Sequence, residues 1–78
     1  MIKNKPTYVE LMETLQKERR ALGLRNYDVA YKSGISVEGV RNLLNGTQDP
    51  KLETLHRLAS ALGYRIVLER KEQVKENG

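Results

Sequence analysis

The chain has no cysteine, no phenylalanine and no tryptophan, and only two prolines in 78 residues. Without cysteine there is no disulfide framework, no thiol nucleophile and no cysteine-ligated zinc finger. His56 is the only histidine, so no imidazole cluster is available for a metal, and no metal or other cofactor is expected. The aromatic residues are Tyr8, Tyr27, Tyr31 and Tyr64. No apolar run approaches the ~18 residues that a membrane span needs, and no signal-peptide hydrophobic region is visible. One soluble, cytoplasmic domain over residues 1–78 is therefore expected. A chain this short buries only about 60–65 % of its unfolded surface. It must pack helices efficiently or associate.

What the chain does have is leucine and charge. Eleven residues are Leu, and 14 Lys+Arg stand against 10 Asp+Glu for a net +4. The excess is local. Residues 1–16 balance to zero, as do residues 47–63, and residues 64–78 contribute +1. Residues 17–46 hold Lys17, Arg19, Arg20, Arg25, Lys32 and Arg41 against Glu18, Asp28 and Glu38, a balance of +3. A basic stretch of this kind suits a polyanion.

Glycine and capping residues divide the chain. Thr7 and Glu10 have the capping-box spacing, and Tyr8, Met12, Leu15 and Leu22 recur at helical spacing up to Gly23, with Leu11 beside them. Asn26 is read as the cap of a short helix over 27–33 that turns Val29 and Ala30 inward and stops at Gly34. Ser36 caps a third helix, 37–45, with Val40, Leu43 and Leu44 inward and Gly46 as its stop. Asp49-Pro50 reads as the start of a fourth, carrying Leu52, Leu55, Leu58, Ala59 and Leu62, with His56 as a half-buried neighbour. Residues 64–69 then alternate with period two and predict a short strand, with Tyr64, Ile66 and Leu68 on one face. Residues 70–78 read as a solvated tail.

Two short capped helices around Gly34, with small Ala30 where they cross and Ile35, Val40 and Leu43 setting their angle, have the plan of a helix-turn-helix. Leu22-Gly23-Leu24 precedes them, Asn45-Gly46 follows, and Pro50-x-Leu52-x-Thr54-Leu55 opens the next helix. On these residues the run 19–63 resembles the phage-repressor-like (Cro/C1, XRE) helix-turn-helix family. The resemblance implies a mainly α, four-helix domain, here with one short C-terminal β-strand over 64–69. It implies a double-stranded DNA partner, with the second helix across the backbone and the third in the major groove. Carried over, it places Ser36, Val37, Glu38 and Asn42 at base edges and Asn26 at a phosphate. Arg19, Arg25, Tyr27, Lys32 and Arg41 are the further phosphate candidates. Leu44 stands where many members have a Glu that pairs with an Arg at the position of Arg19, which would free Arg19 for phosphate. Gly39 would let the third helix approach DNA closely.

No Gly-rich phosphate loop, paired catalytic carboxylates or triad spacing is present, so no enzyme is expected. A lone strand leaves its backbone groups unpaired. Tyr64, Ile66 and Leu68 are accordingly expected to pair with a second copy, and some antitoxins of this family carry a similar strand. The functional expectation is a homodimeric transcriptional repressor on a two-fold operator. The alternative is a protein-binding module, an antitoxin or phage-encoded inhibitor that masks a toxin or other protein and also regulates its operon.

Overall fold

The computed structural model describes residues 7–71, which form four helices: α1 (Thr7–Ala21), α2 (Asn26–Ser33), α3 (Val37–Leu44) and α4 (Leu52–Ala61). Three of them end in the same hydrogen-bonded motif. The Leu24 N–H reaches the Arg19 carbonyl, Thr47 N–H that of Asn42 and Tyr64 N–H that of Ala59, each across a glycine with positive φ. This is the Schellman closure, and it satisfies carbonyls that a helix end otherwise leaves bare.

The buried apolar residues form one cluster: Met12 and Leu15 from α1, Val29 and Ala30 from α2, Val40, Leu43 and Leu44 from α3, and Leu58, Ala59 and Leu62 from α4 and its end. Leu24, Ile35, Leu55 and Ala61 pack around it. α3 packs on both α1 and α2, and α4 packs on α2. The helix that carries the candidate base-reading residues is thereby braced from two sides.

Several local readings are corrected. Asn26 is the first residue of α2 and not its cap. The cap position is Arg25, because the Asp28 carboxylate reaches back to accept the Arg25 backbone N–H at 2.8 Å. α3 ends at Leu44, with Asn45 as its cap. α4 starts at Leu52: Lys51 is extended, with ψ 158°, and its carbonyl accepts the Leu55 N–H, which leaves Asp49-Pro50 outside the helix. Leu22 lies past the last turn of α1 and is 51 % exposed, while Leu52 in the first turn of α4 is 71 % exposed. Neither is core. His56 is exposed.

No described residue sits in a β-ladder, so the chain alone does not form the strand predicted over 64–69. A ladder needs a second strand, and the described helical chain offers none. Residues 64–71 instead leave α4 as irregular, exposed chain. Tyr64 closes α4 through its N–H and donates its hydroxyl to Glu18 Oε1 on α1 at 3.2 Å. The carboxylate pushes the Tyr64 pKa above its ordinary value by disfavouring a phenolate beside it. Residues 72–78, most of the expected tail, lie outside the described residues.

Candidate nucleic-acid interface

The α2–α3 turn is built around Gly34, whose φ of 77° puts it in the left-handed region. Its N–H donates to the Ala30 carbonyl. Ser33, at a position where an apolar residue is usual in the family it resembles, is buried and pays its own way: its hydroxyl donates to the Ala30 carbonyl at 3.4 Å and accepts the Ile35 N–H at 3.2 Å. α3 begins at once. Ser36 Oγ accepts the Gly39 N–H at 3.0 Å, as the sequence predicts for a cap.

Gly39 has a reason internal to the protein. A Cβ there would stand 3.0 Å from Ile35 Cγ2 and 3.0 Å from Ser36 Oγ. The absent side chain makes room for the turn and its capping hydroxyl, which accounts for the glycine without any approach to DNA.

On α3, Val40, Leu43 and Leu44 are buried and Glu38 and Arg41 are exposed. At about 100° per residue Glu38 projects opposite the buried stripe, with Arg41 and Asn42 flanking it. Arg41 and Glu38 face each other at 3.8 Å. Val37 is exposed and Asn42 half-buried. Three of the four base-edge candidates therefore lie on the solvent side of α3, and Ser36 stands at its start with its oxygen engaged by the cap.

The phosphate candidates divide. Arg25 is bidentate to Asp28, with Nε 3.1 Å from Oδ2 and Nη2 3.0 Å from Oδ1, and its guanidinium lies 5.6 Å from the Tyr27 ring centroid. Arg19 donates to Gln16 Oε1 at 2.8 Å and to the Leu24 carbonyl at 2.7 Å, so it staples the α1–α2 connection and is not idle. The buried Leu44 replaces the pairing carboxylate, and a backbone carbonyl takes its place as Arg19's acceptor. Asn26 Oδ1 is buried with no hydrogen-bond partner among the described residues, so the carbonyl end of this amide is not presented outward. Tyr27 and Lys32 are exposed.

Once Arg25–Asp28 and Arg41–Glu38 cancel, the +3 of residues 17–46 rests on Lys17, Arg19, Arg20 and Lys32 against Glu18. It lies at the end of α1 and the end of α2. Lys17, not one of the phosphate candidates read from the sequence, shares a helical face with Arg20 at i,i+3 spacing. Asp28 was also missed, and its i,i+3 spacing to Arg25 signals both the ion pair and the cap.

A helix-turn-helix family profile matches residues 15–68. The chain belongs to the XRE-type helix-turn-helix family. It is 40 % identical over 58 residues to the HTH-type transcriptional regulator DdrOP3 of Deinococcus deserti, a match covering 74 % of this chain and 45 % of that protein. The helix-turn-helix chain thus spans less than half the length of that relative. No solved structure matches it. Among the described residues, no helix is long and apolar enough to cross a membrane.

The Arg25–Asp28 pair gives this helix-turn-helix a testable pH response. The guanidinium hydrogen bonds, then the Arg25 N–H, hold the Asp28 carboxyl below its ordinary range. Because the folded value is depressed, the stabilisation is complete above the unfolded aspartate value of about 3.9 and is lost as pH falls through the folded one. Carboxyl NMR titration should place the Asp28 midpoint below about 3.9, and Arg25→Ala should raise it. A midpoint unmoved by Arg25→Ala shows that the pair does not persist in solution.

Proposed function

We propose that this domain binds double-stranded DNA as a transcriptional repressor, inserting α3 in the major groove and acting as a dimer on a two-fold site. The observation that carries the reading is the outward face of α3. A helix braced on two neighbours presents Glu38, Arg41 and Asn42, three side chains able to hydrogen-bond, to solvent. Free cations on α1 and α2 supply the sequence-independent attraction, and α3 chooses among sequences. Asn42, whose side chain has no hydrogen-bond partner among the described residues, suits a bidentate contact to adenine.

Dimerisation is proposed to run through residues 64–69. Ile66 and Val67 are exposed, and Leu68 is 101 % exposed, an apolar row that water accommodates poorly. Pairing two such segments antiparallel would form one ladder and satisfy the backbone groups on the facing edge of each. Tyr64, held to Glu18, would bound the segment and not lie at its centre. The same apolar row favours the second reading, a protein-binding module that masks a toxin or another protein.

Both readings are tested by binding to duplex DNA and light scattering on the intact chain and on Val67→Pro. Proline removes a ladder donor. The variant should keep its helical circular dichroism, become monomeric and fall to near non-specific DNA affinity. A helical, dimeric, tight-binding Val67→Pro protein places the dimer interface elsewhere. An intact chain that binds no duplex leaves the protein-binding reading.

A further inference from the structure

Resting on the DNA-binding reading, we infer that Glu38 and Arg41 act together as a reader of one G·C base pair in each half-site, with Arg41 at the base edge and not at phosphate. The argument begins with an anomaly. The side chain most directly opposite the buried stripe of α3 is an anion, placed where a groove lined by phosphates would be met. A carboxylate there repels every sequence unless a base offers it a proton. Cytosine N4 and adenine N6 are the major-groove amines that do.

Arg41 lies one turn along the same exposed side, its Nη2 3.8 Å from Glu38 Oε2. Together they present a donor fork beside an acceptor. The G·C major-groove edge presents the complement in matching order: two adjacent acceptors, guanine N7 and O6, then the cytosine amine. Guanine O6 and cytosine N4 are Watson–Crick partners, so they stand about 2.9 Å apart, and the two side-chain groups, 3.8 Å apart, need to close by only about 1 Å to meet both. Adenine and thymine each offer the fork a single acceptor, so an A·T pair in either orientation forfeits the bidentate contact. The exposed ion pair is worth at most about 1 kcal/mol, and it yields readily to the base edge.

The test is selection of bound sequences from a randomised duplex library by the intact protein, by Glu38→Gln and by Arg41→Ala. Both residues are exposed, so both variants should fold. Wild type should enrich one fixed G·C pair per half-site. Arg41→Ala should lose that enrichment and keep the others. Glu38→Gln should shift the position toward A·T, since a glutamine amide pairs bidentately with adenine. On the selected site, 7-deazaguanine at that position should weaken wild type about 5- to 150-fold and leave Arg41→Ala unchanged. Undiminished G·C enrichment by both variants, or duplex binding by wild type with no G·C position enriched, overturns the inference while DNA binding stands. Failure of wild type to bind any duplex overturns the functional reading itself, and this one with it.

Discussion

Raising monovalent salt from 50 to 200 mM should weaken duplex binding by this protein about 10⁴-fold. The figure follows from the cations that the fold leaves uncompensated. Lys17, Arg20, Lys32 and Arg19, whose acceptors Gln16 and the Leu24 carbonyl are neutral and leave its charge uncancelled, are four per protomer, and at about −0.9 per neutralised phosphate a dimer reaches a slope of log K against log salt of roughly −7. Arg25 and Arg41 are left out because Asp28 and Glu38 already hold them. Counting them would steepen the slope to about −11. The titration therefore reports on the ion pairs as well as on DNA. A slope near −11 means that both pairs open on the phosphate backbone, and one shallower than about −3 means that the basic stretch does not face DNA. Lys32→Gln should reduce the slope of the dimer by about 2, one contact in each protomer.

Replacing Leu43 with alanine should cost about 2–5 kcal/mol and lower the melting temperature by about 10–30 °C. Leu43 is fully buried in the cluster that joins all four helices, on the helix that packs against both α1 and α2. The truncation leaves a cavity among packed side chains, and a domain of this size has only about 4–12 kcal/mol of stability in total. Leu52→Ala is the control. It removes the same atoms from a site 71 % exposed, and it should change stability by less than about 1 kcal/mol. Thermal denaturation of the two variants decides the matter. Equal losses would mean that the core does not lie where α3 meets α1 and α2.

The parts legible in the sequence were those set by single residues acting locally. Gly34 in the turn, Ser36 as a cap, and the stripes of Met12–Leu15 and Val40–Leu43–Leu44 depend on backbone conformation and helical period, and both are written in residue type and spacing. The α2 start was misread because Asn26 has the better cap propensity taken alone. The Asp28 carboxylate reaching back to the Arg25 N–H outweighed it. Leu22 and Leu52 matched the apolar period but fall at helix ends, where the period no longer determines burial. The role of Arg19 was hidden for another reason. Beside the Gln16 side chain, its second acceptor is the backbone carbonyl of Leu24, and a backbone carbonyl leaves no mark in residue identity. The strand expected over 64–69 is absent because period-two alternation marks only one edge of a ladder, and the described residues hold no second strand to complete it.

The crowded site at Gly39 also sets how the domain's specificity could be re-engineered. A combinatorial library on α3 would ordinarily treat every solvent-side position as free, and would count alanine at 39 as a gain of helix propensity. With Ile35 Cγ2 and the capping Ser36 hydroxyl both 3.0 Å from where a Cβ would go, each such member would have to displace one or both at the start of the helix it means to retarget. Diversity belongs at 37, 38, 41 and 42. Holding 39 as glycine separates clones that fail to recognise their new sequence from clones whose reading helix is misplaced.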